Sequence, residues 1–272
     1  MRVLFMTIMI VGGLNLCGQE YFSGLFVKDS LSNYHYSDAL VMKEFNQLDD
    51  SLGRVGYILS DWNLRPRNEL TVRGIWRPLQ AGEVNSQQVK NLKSWSSFVK
   101  MKRAQVKNGY LMTHIQYYTD ATETGHFLAK WKKDSTVHKV WKFSSFEHLK
   151  SKVYAMKKDD FVLREIEVGL DENRDPVFLA LFYKKKFLEK FTYCYEAKDL
   201  PTFQKEILRR IKSGFYLSDV EVYRVKEKWH YVGIFTKGKR NSVFVGHLSE
   251  DSFFAEWEEL EKKGFVLVDL EW

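Results

Sequence analysis

One motif recurs five times along the chain: an aromatic residue, then Leu or Met two positions on, then a polar and mostly acidic residue two further on, in most copies with Gly just ahead. The copies are Gly56-Tyr57 with Leu59 and Asp61, Gly109-Tyr110 with Met112 and His114, Asp160-Phe161 with Leu163 and Glu165, Gly214-Phe215 with Leu217 and Asp219, and Gly264-Phe265 with Leu267 and Asp269. Their aromatics lie 53, 51, 54 and 50 residues apart. A period of this length makes each copy one supersecondary unit that must bury its apolar face on its neighbours. Alternation with period two marks each motif as a strand.

Eleven residues before each Gly, or before Asp160, stands Phe45, Phe98, Leu149, Phe203 or Phe253, in stretches with helical spacing such as Phe203, Ile207, Leu208 and Ile211. These predict amphipathic helices of three to four turns. Asp38, Ser94, Ser145, Asp199 and Ser249 or Asp251 are the expected N-caps, with Gly56, Gly109, Gly214 and Gly264 just past the helix ends. A second strand carries a small residue followed at the second position by an aromatic: Gly74-Ile75-Trp76, Ala129-Lys130-Trp131, Ala180-Leu181-Phe182, Gly233-Ile234-Phe235, and Gly24-Leu25-Phe26 near the N-terminus. Third strands are expected at Val137–Phe143, Phe187–Tyr195, Val243–Leu248 and Tyr34–Tyr36, with a polar loop around Val84.

The expected fold is therefore α+β: five quasi-repeats of a helix plus a three-stranded antiparallel sheet. The units run over about 38–92, 93–143, 144–197 and 198–248, with a split unit made of 19–37 and 249–272. Because the two ends together supply one unit, Phe265–Trp272 is expected to pair with Tyr21–Lys28 and close a ring, which hides strand edges. An open arc is the alternative.

Gly214-Phe215-Tyr216-Leu217-Ser218-Asp219 with Tyr231-Val232-Gly233-Ile234-Phe235, and Gly56-Tyr57-Ile58-Leu59-Ser60-Asp61 with Gly74-Ile75-Trp76, resemble the bacterial tandem-repeat domain, the structural repeat beside the hydrolase domain of polyglycine hydrolases. The family's period is somewhat shorter, and its Arg-Tyr-Ala lead into the second strand stands here as Trp229-His230-Tyr231-Val232. The resemblance implies an accessory or recognition module on secreted proteins and lends no catalytic residue.

Residues 1–18 read as a signal peptide: Met1-Arg2, an apolar run from Val3 to Leu16, then Cys17-Gly18. The run is too short to span a bilayer, so no transmembrane segment is expected. Leu14-Asn15-Leu16-Cys17 offers a lipoprotein box as the alternative, with Cys17 acylated. Cys194 then has no intramolecular partner, and its place in an aromatic strand pattern makes it a buried, inert thiol.

No cofactor or metal site emerges. Ser97-Phe98-Val99-Lys100 has the Ser-x-x-Lys form of serine hydrolases, but Phe98 is the repeat's core position and no partner motif follows. The seven histidines lack zinc spacing, although His114 and His126 are placed to meet across a hairpin. The formal net charge of +7 permits anionic partners without demanding them, but the basic runs near Trp131 and Trp229 are interspersed with acids and the expected export takes the chain away from cytosolic nucleic acid, which is therefore an unlikely partner. The candidate surface is the ladder Asp61, His114, Glu165, Asp219 and Asp269, continued two residues on by Glu167, Glu221 and Glu271. Such residues occupy equivalent places in a repeat array, where they either line one groove or meet backbone amides of a neighbour. The reading is an exported, non-catalytic repeat protein that recognises a protein or glycan at the cell envelope or outside the cell. The alternatives are a hydrolase built on the ladder and a structural part of an envelope assembly.

Overall fold

The computed structural model describes residues 21–29, 33–66, 70–80, 83, 88–120, 122, 124–184 and 192–271. The expected leader with Cys17, the loop around Val84, Phe187 and Trp272 lie outside the described residues. The chain enters as β1 (Phe22–Lys28), followed by the short β2 (His35–Tyr36) and β3 (Leu40–Val41), then α1 (Met42–Arg54), β4 (Tyr57–Pro66) and β5 (Leu70–Pro78). The order of edge strand, helix and hairpin returns as β6 (Gln88–Leu92), α2 (Trp95–Lys107), β7 (Tyr110–Thr119) and β8 (Gly125–Lys133). It returns again as β9 (His138–Phe143), α3 (Phe146–Lys158), β10 (Phe161–Leu170) and β11 (Pro176–Lys184), and as β12 (Thr192–Ala197), α4 (Leu200–Lys212), β13 (Phe215–Val225) and β14 (Lys228–Lys237). It ends with β15 (Ser242–Leu248), α5 (Glu250–Lys262) and β16 (Phe265–Glu271).

Each hairpin's second strand is the middle of an antiparallel sheet: β6-β8-β7, β9-β11-β10, β12-β14-β13 and β15-β1-β16, while in the first unit β2 and β3 share one edge of β5 and β4 takes the other. The strand that follows a hairpin thus pairs with the next unit's hairpin, as β9 does with β11. The expected pairing of the chain's two ends is present, with Lys28 opposite Phe265 and Ser23 opposite Glu271.

The helices begin and end for local reasons. Asp199 accepts the Thr202 amide at 2.7 Å and Pro201 sits in the first turn; Ser94 and Ser145 cap their helices in the same way. Asp38 does not. The N-cap of α1 is Val41, extended and without a side-chain bond, because β3 runs directly into the helix. Ser249 holds the cap position of α5 but makes no capping bond. The glycines at 56, 109, 214 and 264 all have positive φ, and Asp160 adopts φ 58° in the third unit. Phe45, Phe98, Leu149, Phe203 and Phe253 are each 0% exposed. They pack on the small residue of the middle strand: a Cβ on Gly233 would meet Phe203 Cζ at 2.9 Å, and one on Gly24 would meet Phe253 Cζ at 2.9 Å.

Five cores result, each lying between a helix and its sheet and each extended by the neighbouring unit. Leu181 joins the core around Phe98, Ile234 that around Leu149, and Leu25 that around Phe203. Ile75 of the first unit joins the core around Phe253 of the last. Among the described residues no helix is long and apolar enough to cross a membrane.

Candidate functional site

Strict alternation would place the ladder residue on the same face as the buried Leu or Met two positions earlier, under the helix. The structure avoids this with a bulge in every unit: Leu59 pairs with Trp76 but Asp61 with Ile75, leaving Ser60 as the extra residue. The same slip occurs at Thr113, Arg164, Ser218 and Val268. One inserted residue reverses the parity of the strand, so the acid turns away from its own helix and toward the next unit.

There it meets a backbone amide. Glu165 Oε1 accepts the Ile115 N–H at 2.8 Å, Asp219 Oδ2 that of Ile166 at 3.1 Å, Asp269 Oδ2 that of Val220 at 2.7 Å and Asp61 Oδ2 that of Leu270 at 3.2 Å. In each case the donor is the residue after the neighbouring unit's own ladder position. His114, the one non-acid, sets Nδ1 3.1 Å from Glu165 Oε2. A second row lies two residues on. Glu221 Oε2 accepts the Val168 N–H at 3.1 Å, Glu167 Oε1 that of Tyr117 at 3.4 Å, and Asn63 Nδ2 donates to Glu271 Oε1 at 3.2 Å. Gln116 completes the row and donates Nε2 to the Trp62 carbonyl at 2.6 Å.

The structure brings all five candidates, Asp61, His114, Glu165, Asp219 and Asp269, to one cavity of about 290 Å³ whose lining comes from all five units. Burial pushes the carboxyls of Asp61, Glu167, Asp219, Glu221 and Glu271 well up, and neighbouring carboxylates add to the shift. Burial, reinforced by Glu165 and opposed by the Val220 amide, leaves Asp269 at about 7. Facing a cavity, several of these side chains keep part of their surface while protein surrounds them. Among the described residues no three His, Cys, Asp or Glu side chains converge as metal ligands.

A wider opening of about 580 Å³ continues from the second row to the hairpin ends. Its wall combines Tyr117, Tyr118, Tyr223 and Trp229 with Arg65, Arg174, Arg224 and Asp120. Tyr118 stacks on His126 at 4.9 Å and Tyr223 on His230 at 5.0 Å. His126 and His114 do not meet, since His126 stands opposite Tyr118 and binds Asp120 Oδ2 at 2.7 Å. The second-row amides Asn63 and Gln116 escaped the sequence reading, though they occupy the column of Glu167, Glu221 and Glu271. Lys130 also escaped it. Part of an apparently solvated basic run, it is 0% exposed and donates Nζ to the Leu59 carbonyl at 2.5 Å. Cys194 is buried, and desolvation raises its thiol to about 12. Ser97 is exposed on α2 and bonded to Ser94 Oγ at 2.9 Å.

A family model described as the polyglycine hydrolase-like structural repeat matches residues 199–238. The match runs from the cap Asp199 through α4, β13 and β14 and contains Gly214–Asp219 and Tyr231–Phe235, while the similar residues 56–61 and 74–76 lie outside it. No curated protein matches the chain.

Proposed function

We propose that the chain is an exported, non-catalytic repeat protein whose five units close into a ring, and that it recognises a protein or glycan at the cell envelope or outside the cell through the opening at the hairpin ends. The observation that carries this reading is the wall of that opening, where the half-buried Trp229 stands among arginines and acids, with three buried tyrosines in the same wall. Aromatic faces rimmed by hydrogen-bonding groups suit sugar rings and peptide side chains. The first-row carboxylates each commit an oxygen to a neighbour's amide, which favours a structural task for them and leaves recognition to the opening. Ring closure is supported by the Asp61 to Leu270 bond and by Ile75 in the last unit's core. Export is supported by the apolar run from Val3 to Leu16.

Co-sedimentation of the purified chain with insoluble envelope glycan, compared with Trp229→Ala and Arg224→Ala, tests recognition. The expected result is binding that both variants weaken; equal sedimentation of all three forms removes the opening from the account. The mass of the protein recovered from cells tests export, with an N-terminus at Gln19 or an acylated Cys17 expected and an intact Met1 opposing it.

A further inference from the structure

The helices differ sharply in charge. α2 carries four bases and no acid, α3 and α4 carry four bases and one acid each, and α5 carries six acids and one base. The acid of α4, Glu206, is buried and bound by Arg209 and Arg210, so the charges this helix shows to solvent are positive. Helix stability does not account for the contrast, because Glu259 and Glu261 stand in the last turn of α5, where the helix dipole disfavours acids. Glu256 and Glu258 are exposed and form no ion pair among the described residues.

An independent observation comes from exposed hydrophobic side chains. Val106, Tyr154, Leu208 and Ile211 stand in solvent on the three basic helices. Between α3 and α4, against β12, lies an open groove of about 130 Å³. Val153, Tyr154 and Tyr193 line it together with Lys150, Lys157 and Arg210, which places apolar surface and three cations in one recess. An anionic polymer would meet the cations and leave the apolar lining unused. An apolar segment would strip water from the cations without pairing them.

An acidic helix with aromatic surface satisfies both, and α5 is such a helix. Phe254, Trp257, Glu258 and Glu261 recur at helical spacing along one stripe, with the two rings half-buried and stacked at 5.7 Å. We infer that α5 of one copy of the chain docks on the α3–α4 groove of a second copy. Its acids then face the groove's cations, while Tyr154 and the Phe254–Trp257 pair lose exposed surface. Within one chain the fifth unit is held between the fourth and the first by the Val220 to Asp269 and Leu270 to Asp61 bonds, so the contact needs a second copy. The two surfaces differ, which makes the contact head-to-tail and lets more than two copies join.

Sedimentation velocity of the purified chain at about 100 μM, in about 0.1 M and about 1 M sodium chloride, tests the inference, since the screening length falls from about 10 Å to about 3 Å between them. The expected result is a mass of at least about twice the single chain in low salt and a single chain in high salt. Glu256→Lys with Glu258→Lys reverses the acidic surface, and Lys150→Glu with Lys157→Glu reverses the groove. Each double variant should stay a single chain in low salt, and an equimolar mixture of the two should associate again. Tyr154→Ser leaves the charge unchanged and should weaken association several-fold. All five side chains reach solvent, so the variants should keep the wild-type thermal midpoint. A wild type that sediments as a single chain in low salt, association that either reversal leaves intact, or a mixture that stays monomeric overturns the inference. A monomeric wild type that binds phosphatidylglycerol vesicles gives the basic helices to a lipid surface and overturns it as well. The salt comparison needs no variant to fold. None of the substituted residues lines the outer opening, so the reading of that opening can fail without this one.

Discussion

Lys130 stands where the other four units have Ile75, Leu181, Ile234 and Leu25, each inserted into a neighbour's core. Full burial drives its amine well below the usual lysine range, with the Asp49 and Asp61 carboxylates only partly opposing the shift. Burial therefore disfavours its charged form, a cost that a Leu avoids. Lys130→Leu loses one hydrogen bond to the Leu59 carbonyl, worth about 1 kcal/mol, yet should raise stability by about 1–3 kcal/mol at pH 7. Because the folded amine titrates below the unfolded one, wild type gains stability as pH rises toward 10. The variant's advantage, measured by urea unfolding, should shrink over that range, and an advantage independent of pH would contradict the assignment. A second pair of substitutions separates the two tasks of a ladder acid. Asp269→Ala strands the Val220 amide and should cost about 1–3 kcal/mol. Asp269→Asn keeps an acceptor and removes a charge, and its unfolding midpoint at pH 7 should match or exceed that of wild type.

The unit is a helix clamped on a hairpin at one contact, the helix's Phe or Leu over the small residue of the middle strand. The fourth unit uses Phe203 over Gly233, the third Leu149 beside Ala180. Converting one pair into the other tests the contact: Gly233→Ala and Phe203→Leu should each destabilise, and the double variant by about 0.5–1 kcal/mol less than their sum. Strict additivity in denaturant unfolding would place the two residues in independent environments. The residues that make these contacts were legible in the sequence because they recur at fixed offsets, as were the helices and the hairpins. The bulges were not, since one extra residue leaves no mark on a short alternating pattern and shows only when both strands are in register. Asp38 misled because it resembles a cap, whereas β3 carries the chain straight into α1. Lys130 and Gln116 were visible only as departures from their repeat columns.

At the scale of the whole molecule, the units are joined by acids that each reach into the next, and this gives the stability an unusual dependence on pH. Six carboxyls, those of Asp61, Glu167, Asp219, Glu221, Asp269 and Glu271, have folded values above their unfolded ones, chiefly through burial. Unfolded carboxyls titrate near pH 4, so between about 4 and the raised values the folded chain holds more protons and its stability falls as pH rises. Three bases oppose this: His138, depressed to about 4 by burial, His247, lowered by burial and by Arg224, and Lys130, lowered by burial. Glu83, held at about 2 chiefly by hydrogen bonds from Arg77, contributes above its unfolded value and loses that contribution only as pH falls toward 2. The six carboxyls outnumber the three bases, so the thermal midpoint should be highest near pH 4–5 and decline toward pH 8, with the Asp269 step centred near 7. The Asp219→Asn, Asp269→Asn double variant should flatten the decline. A wild-type midpoint that climbs steadily from pH 4 to 8 would mean that the carboxyls ionise freely in the folded chain, and that the cavity they line is open enough to solvate them.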